Sequence, residues 1–221
     1  MQTLSEENYL KAIWKLVENS GVAVSTNEIA ASVQTSPASV TDMLKKLADK
    51  KLISYQRYRG VTLSAKGRSV AIEVVRKHRL WEVFLVQQLG FKWDEVHDIA
   101  EQLEHIRSNE LTEKLDKYLG FPKTDPHGDP IPDKTGKISE LHQIPLSKLE
   151  KGKKGIMTGV ADHSTQFLQL LDKHGIHLGD SIEIKETTAY DLSIAIAVNK
   201  KKTIHISNSV SKNIMVSKNK S

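Results

Sequence analysis

The first 64 residues contain three helix start signals followed by two short β-like runs, and this order constrains the fold more than any other feature. Each start has a serine at the expected N-cap: Ser5, Ser25 with Glu28 completing a capping box, and Ser36 followed by Pro37. Residues 52–55 and 61–63 are typical of two strands joined by a tight connection. Three helices and a two-stranded wing predict a winged helix-turn-helix domain over residues 1–64.

The rest of the chain divides by pattern into a helical part, a linker and a β-rich part. Helical periodicity from residue 64 to about 89, from 93 to about 106, and on to Gly120 predicts a helical domain over residues 65–121. Residues 122–146 are interpreted as a linker, since all but one of the six prolines lie between 121 and 146. Short β-like runs around one helix at 164–174 predict an SH3-like barrel over residues 147–221. The expected fold class is mainly α with small β.

The central helices carry a longer apolar stripe than a monomer of this size needs. Its members are Val70, Val74, Leu80, Leu85, Val96, Ile99, Leu103, Leu111 and Leu115. A second copy of the chain is the natural partner for such a surface, so the sequence predicts a homodimer.

Positive charge is concentrated in one part of the chain. Residues 45–79 hold eleven Lys or Arg and two acids, within a formal net charge of +5, which favours contact with nucleic acid. Because the second helix of a helix-turn-helix enters the major groove, the expected base-facing residues are Ser36, Pro37, Ala38, Ser39 and Asp42. The residues expected to reach phosphate are Lys45, Lys46, Arg57 and Arg59.

Several function classes are excluded or disfavoured by composition. The chain has no cysteine, which excludes disulfides, thiolate–zinc sites and thiol catalysis. Its start has no basic region followed by an apolar core, and no apolar run is long enough to cross a membrane. A cytoplasmic protein is therefore expected.

Histidine and carboxylate residues recur at helical spacing in the central region. His78 and Glu82 are four residues apart and share a helix face, and His97 lies four residues before Glu101. Glu104 and His105 complete an E-x-x-E-H sequence. By itself this pattern is typical of solvated helices, so spacing alone leaves a metal site and a plain surface face both open.

The chain resembles the diphtheria-toxin-repressor family of iron- and manganese-dependent regulators over nearly its whole length. The segments that carry the resemblance are SEENYLKAIW, SVQTSPASVTDMLKKL, LSAKGRSVAIEVVRKHRLWEVFL, WDEVHDIAEQLEHIRS and DPHGDPIP. The segment from PLSKLEKGKKG to HLGDSIEI is similar to the SH3-like FeoA-type domain of the same family.

The resemblance implies two metal sites and a function. The primary site would use Asn8, Glu101, Glu104 and His105. The ancillary site would use His78, Glu82 and His97, completed from among Asp125, His127, Asp162, His163 and Gln166. The implied function is a homodimeric repressor of metal-uptake genes that binds palindromic operator DNA when metal is bound, and not an enzyme.

This sequence departs from the family pattern at three positions. Glu101 stands where iron-responsive members have cysteine, and a carboxylate suits Mn²⁺ better than a thiolate would, so Mn²⁺ is expected first and Fe²⁺ second. Asn8 stands where Met or Asp is common, and Lys11 stands where short manganese-specific members have a further carboxylate. Two alternatives stay open: a winged-helix regulator with a non-metal effector, and a metal-dependent hydrolase.

Overall fold

The computed structural model describes residues 2–56 and 60–218, and the chain divides into two compact units. Unit 1 comprises residues 1–78, 101–113 and 132–138, and unit 2 comprises residues 79–100, 114–131 and 139–221. Three helices, α4 (Ala65–Leu89), α5 (His97–Leu103) and α6 (Asn109–Tyr118), contribute residues to both units. Each unit is described in turn.

Unit 1 begins with the predicted winged helix-turn-helix order, which confirms this part of the fold class. Its elements are α1 (Leu4–Ser20), α2 (Thr26–Ser32), α3 (Pro37–Asp49), β1 (Ile53–Gln56) and β2 (Gly60–Leu63). The two strands pair antiparallel, and Val61 also bridges Val24. Leu10, Ile13 and Leu44 are fully buried in the shared core.

Helix caps explain where these helices start. The capping box of Ser25 with Glu28 and the cap of α3 by Ser36 are present as predicted. The prediction for α1 is wrong: Thr3, not Ser5, is the N-cap, and it forms a capping box with Glu6. The Thr3-x-x-Glu6 spacing is visible in the sequence. In this box the Thr3 hydroxyl accepts from the backbone N–H of Glu6, and the Glu6 carboxylate accepts from the backbone N–H of Thr3. Ser5 already lies inside the helix.

The helices of the central region are shorter than predicted, except for α4. α5 begins at His97 rather than near 93, because residues 92–95 form a turn in which the backbone N–H of Glu95 donates to the carbonyl of Lys92. α6 spans Asn109–Tyr118. No helix of the described residues is long and apolar enough to cross a membrane.

Unit 2 contains a six-stranded antiparallel sheet that confirms the predicted SH3-like part. Its strands are β3 (Ile144–Pro145), β4 (Lys154–Val160), β5 (Ser181–Thr187), β6 (Ile194–Val198), β7 (Lys202–Ile206) and β8 (Ile214–Lys218), in the order β3-β8-β4-β5-β6-β7. α7 (Thr165–His174), the helix predicted at 164–174, is capped by Ser164 and packs Phe167, Leu168 and Leu171 into the core of this sheet. The sequence did not predict the short α8 (Asn208–Asn213) before β8.

Much of the predicted apolar stripe is buried within the single chain. Val74, Leu80, Leu85, Val96 and Leu115 are all buried, so these residues do not require a second copy. Leu111 of the stripe is exposed. The other large apolar side chains left exposed among the described residues lie outside the stripe: Leu4, Val22 and Ile106 in unit 1, and Leu89, Phe91, Tyr118, Phe121, Tyr190 and Leu192 in unit 2.

Candidate metal centre and nucleic-acid interface

The N-terminal half of α3 presents the predicted base-facing residues to solvent. Ser36, Pro37, Ala38, Ser39 and Asp42 are all exposed, while Val40 and Leu44 of the same helix are buried. This pattern orients the polar and small side chains away from the core of unit 1. Lys45 and Lys46 are exposed too, and Arg57 and Arg59 lie outside the described residues.

The basic run is less available to phosphate than its composition indicated. Six of its members pair with carboxylates: Lys45 with Asp42, Lys50 with Glu6, Arg68 with Glu18, Arg76 with Glu113, Lys77 with Glu73, and Arg79 with Asp129. Several of these acids are distant in sequence, so local composition did not reveal them. Lys46, Lys51 and Lys66 are exposed, so the basic surface that phosphate can reach is smaller than the eleven residues of the run indicate.

In unit 1, the carboxylate of Glu104 is the centre of a buried polar group. It is fully buried and accepts hydrogen bonds from Lys11 Nζ at 2.8 Å (Oε1) and 2.9 Å (Oε2) and from His78 Nδ1 at 2.6 Å. Burial by itself would raise the pKa of Glu104, but the contacts with His78 and Lys11 outweigh it and lower that pKa. Glu104 is therefore held as a carboxylate.

The other predicted primary residues surround this group without forming a compact ligand set. Lys11 Nζ also donates to Glu101 Oε1 at 2.9 Å. His105 Nδ1 lies 2.7 Å from Glu7 Oε2, and Asn8 is exposed. The ligand atoms of Glu101, Glu104 and His105 are not among the described groups in which three such atoms lie within 4.8 Å of one another. The primary site remains a prediction.

In unit 2, three of the predicted ancillary residues come together. Glu82 on α4 and Asp125 and His127 in the DPHG segment each offer a ligand atom within 4.8 Å of the others, and all three are buried. His97 lies beside them, with its Nδ1 3.6 Å from Glu82 Oε1. Glu82, Asp125 and His127 are called the acidic triad below.

The DPHG segment is shaped by hydrogen bonds within its own loop. Asp125 Oδ1 accepts from the backbone N–H groups of His127 at 2.8 Å and Asp129 at 3.0 Å, and Thr124 bridges Pro130. The backbone N–H of Val160 in β4 donates to the carbonyl of His127 at 3.0 Å. The SH3-like sheet therefore supports the loop that carries two of the triad residues.

The His127 ring is fixed with one nitrogen facing Glu82. Its Nε2 donates to the carbonyl of Trp93 at 2.8 Å, and the ring stacks on Trp93 and on His163. Nδ1 lies 3.6 Å from Glu82 Oε2 and, within the described residues, has no hydrogen-bond partner. A buried ring nitrogen oriented this way beside two carboxylates fits a divalent cation.

The electrostatics of the triad agree with that fit. Burial, reinforced by the charges of Glu82 and Asp129, raises the pKa of Asp125 to about 7. Burial opposes the charging of His127, but the Glu82 and Asp125 carboxylates outweigh it and raise its pKa to about 9. A bound cation would stabilise the charged form of these buried carboxylates. It would also replace the proton that His127 otherwise holds.

Among the remaining predicted ancillary residues, Asp162 and Gln166 are not in the group that the triad forms. Asp162 accepts a hydrogen bond from the backbone N–H of Ser164 at 2.9 Å, just before α7, and Gln166 is exposed. His163 reaches the site through its stacking on His127, with ring centroids 4.8 Å apart. His78 belongs to unit 1, where it pairs with Glu104.

Sequence reasoning missed the residues that hold the ligands in place. Arg79 contacts Asp125 and Asp129, Trp93 orients His127 through its carbonyl, and Glu7 pairs with His105. Composition alone places Arg79 in the basic run of residues 45–79. The signal for a buried pair is a charged residue on an apolar helix face: Val75 and Val83 lie four residues before and after Arg79 on α4.

Three family models match consecutive parts of the chain. The model described as iron dependent repressor, N-terminal DNA binding domain, matches residues 1–61. The iron dependent repressor, metal binding and dimerisation domain, matches residues 64–133, and the FeoA domain matches residues 144–218.

Relatives and solved structures agree with these models. The iron-dependent repressor IdeR of Mycobacterium leprae is 38% identical over 126 residues, 57% of this chain and 54% of that protein, so the match spans about half the length of this relative. The HTH-type transcriptional regulator MntR of Oceanobacillus iheyensis is 32% identical over 57% of this chain and 84% of its own length.

The likeness to solved structures covers almost the whole chain. A structure of a manganese-dependent transcriptional repressor in complex with manganese superposes with a TM-score of 0.89 at 34% identity, over 96% of this chain and 99% of that one. A structure of ScaR with bound Zn²⁺ gives 0.79 at 32% identity over the same shares. Since these relatives are DNA-binding repressors rather than enzymes, and one of them matches over most of its length, the chain belongs to the family of iron-dependent repressors.

Proposed function

We propose that this chain is a metal-dependent, homodimeric transcriptional repressor that binds palindromic duplex DNA when a divalent cation is bound. The acidic triad of unit 2 carries the proposal: Glu82, Asp125 and His127 are buried, their ligand atoms lie within 4.8 Å, and His127 Nδ1 has no hydrogen-bond partner within the described residues. The function of the relatives named above supports it.

The donor chemistry of the triad favours Mn²⁺, with Fe²⁺ as the second choice. Two carboxylates and one imidazole are donors that both ions accept, and the chain has no thiolate that would favour Zn²⁺ or Fe²⁺ more strongly. His97, whose Nδ1 lies 3.6 Å from Glu82 Oε1, and His163, which stacks on His127, are the neighbouring imidazoles that would complete the set. His78, Asp162 and Gln166 stay proposed ancillary ligands, and Asn8, Glu101, Glu104 and His105 stay proposed primary ligands.

The DNA contacts are proposed from the exposure of α3. Ser36, Ala38 and Ser39 are short, so thymine methyl contacts and DNA shape would contribute more to specificity than bidentate base contacts. Lys45 and Lys46 would position the helix on phosphates.

The homodimer is proposed from the apolar side chains left exposed in each unit. Leu89, Phe91, Tyr118 and Phe121, which lie in or next to α4 and α6 in unit 2, are the candidates for this contact. A dimer reads two half-sites only when its recognition helices are separated by a whole number of DNA turns.

The proposed primary ligands contact α1 directly. Glu7 and Lys11 of α1 contact His105, Glu101 and Glu104. Movement of these three residues on metal binding would therefore act on α1, which packs in the core of the DNA-binding domain. Metal binding would favour the DNA-binding conformation through this contact between α1 and the proposed primary ligands.

The test is selection of duplexes from a random pool by metal-stripped protein titrated with Mn²⁺, with Fe²⁺ under anaerobic conditions, or with Zn²⁺. Asp125→Asn and Glu104→Gln remove one charge from each proposed site. Asp191→Asn is the control, because Asp191 is an exposed acid that only caps the backbone of Ser193. The proposal expects selected DNA to be bound with Mn²⁺ or Fe²⁺, lost on chelation, and weakened in both site variants but not in the control.

Other outcomes would point to the alternatives. Equal DNA binding by stripped and loaded protein would contradict metal dependence and favour a non-metal effector. Metal-dependent cleavage of the DNA or of ester substrates, without stable binding, would instead favour a hydrolase.

A further inference from the structure

An amino group from α1 lies among the carboxylates proposed for the primary site. Lys11 is only 5% exposed, and its Nζ lies 2.8 and 2.9 Å from the two oxygens of Glu104 and 2.9 Å from Glu101 Oε1. Three carboxylate oxygens from two residues therefore surround one ammonium group. All three residues belong to unit 1.

The contact joins two parts of the chain that are far apart in sequence. Lys11 is in the middle of α1, Glu101 is in α5, and Glu104 follows the last residue of α5. Lys11 therefore links α1 to the segment at the end of α5. A second contact, from Glu7 to His105, joins the same two segments.

An ordinary structural ion pair does not account for this arrangement. A lysine that only ties two helices needs one carboxylate and can remain half in water, as Lys50 does with Glu6, where the lysine side chain is 44% exposed. Lys11 instead gives up nearly all of its hydration to contact two carboxylates, and Glu104 is completely buried. The two carboxylates are themselves proposed metal ligands.

We propose that the Lys11 ammonium is an intramolecular cation that occupies the primary carboxylates and competes with metal for them. This inference rests on the proposed function and deepens it. A divalent cation placed beside a buried ammonium would meet like-charge repulsion, so Glu101 and Glu104 accept a metal ion only when Lys11 withdraws.

The consequence is an order of filling. In the described contacts of the acidic triad, the cationic groups are the guanidinium of Arg79, on Asp125, and the imidazoles of His97 and His127, and an imidazole can lose its proton and become a metal ligand. The triad therefore binds Mn²⁺ at lower concentration, and the primary carboxylates bind it only at higher concentration. Lys11 sets the second threshold.

The experiment measures Mn²⁺ stoichiometry and affinity of the full chain by equilibrium dialysis and by the electron paramagnetic resonance signal of free Mn²⁺. Lys11→Met keeps the length of the side chain and removes its charge. Lys50→Met is the matched control, because Lys50 also donates to both oxygens of a buried carboxylate on α1 but lies away from the proposed ligands.

In the unaltered chain we expect one tight and one weak Mn²⁺ ion. Lys11→Met should tighten the weak ion at least about tenfold, since removing a buried partner leaves uncompensated carboxylates. Lys50→Met should leave both ions unchanged. Asp125→Asn should remove the tight ion and Glu104→Gln the weak one. Equal isotherms for Lys11→Met and the unaltered chain would overturn the proposal, as would loss of the tight ion in Glu104→Gln.

A second measurement does not depend on the folding of Lys11→Met. Lysine acetylation of the unaltered chain, followed by mass spectrometry, should show Lys11 protected when metal is stripped and reactive when the weak ion binds. Protection that persists at saturating Mn²⁺ would contradict displacement.

The two proposals fail in distinguishable ways. If no variant binds Mn²⁺ and DNA binding ignores chelation, the proposed function fails. If Mn²⁺ switches DNA binding on but Lys11 changes neither isotherm nor labelling, the proposed function stands and only the role of Lys11 is rejected.

Discussion

The guanidinium of Arg79 donates to Asp129 Oδ2 at 2.8 Å and, from its other terminal nitrogen, to the carbonyl of Pro130 at 2.6 Å. Its Nε also lies 3.5 Å from Asp125 Oδ2. Arg79 is one turn before Glu82 on α4, so a single side chain ties the DPHG segment to the helix that carries the third residue of the triad. Arg79 is therefore a positioning residue for the proposed metal site.

Arg79→Met should weaken Mn²⁺ binding by the triad by about 10- to 100-fold, the usual cost of losing a group that orients metal ligands. Arg79→Lys should recover little, because an ammonium cannot contact both acceptors with the planar geometry of a guanidinium. The measurement is a Mn²⁺ titration of stripped protein. Arg68→Met, which removes the exposed partner of Glu18, serves as the control. Equal losses in Arg68→Met and Arg79→Met would show a general effect on stability instead.

Gly128→Ala should destabilise unit 2 by about 2–4 kcal/mol, combining overpacking with backbone strain. Gly128 has φ +91°, and a Cβ there would lie 2.1 Å from the carbonyl oxygen of Thr158 in β4. Gly120→Ala is the control, since Gly120 also has a positive φ (+75°) but open space around its Cβ position. Urea unfolding of both variants tests this, and a loss no larger in Gly128→Ala than in Gly120→Ala would refute the close packing of the loop on β4.

Replacing Glu6 should change stability in a pH-dependent way. Burial by itself would raise the pKa of Glu6, but the ammonium of Lys50 and the backbone N–H of Thr3 outweigh it and lower that pKa below its usual value of 4.5. A lowered folded-state pKa stabilises the protein above pH 4.5, and this contribution is lost as the pH falls through the folded value. Glu6→Gln should therefore lower the free energy of unfolding at pH 7 and have a smaller effect at pH 3, where part of this contribution is already lost.

Denaturant unfolding at the two pH values, followed by circular dichroism, measures this difference. Glu28→Gln is a useful comparison, because Glu28 completes the capping box of α2 but faces no lysine in the described contacts. A Glu6→Gln effect that is the same at pH 3 and pH 7 would exclude the ion pair with Lys50 as its source.

Lys46→Gln should weaken binding to every selected duplex to the same extent and reduce the slope of log affinity against log salt by about 0.9, the value of one phosphate contact. Ser39→Ala should instead change which sequences are selected, since Ser39 lies at the exposed start of α3. Lys173→Gln, an equal charge change on α7, is the control. A salt slope that falls as much in Lys173→Gln would mean that overall charge, and not a contact of α3, determines affinity.

Local signals in the sequence determined the elements and their order. The boxes and caps at Ser25, Ser36 and Ser164 place the starts of α2, α3 and α7, and alternating apolar residues place the strands of the SH3-like sheet. These signals act within a few residues, because a cap or a hydrophobic repeat is satisfied by neighbours along the chain. The fold class followed from them, and the resemblance added the ligand residues.

Tertiary structure decided which charged side chains meet. Lys11 and Glu104 are 93 positions apart, and nothing in the spacing of either segment predicts that the ammonium lies between two proposed metal ligands. Arg79, which belongs by composition to the basic run, is buried against Asp125 and Asp129. The cost of burying a charge is met only by an opposite charge at contact distance, and that distance is set by how distant helices and loops pack.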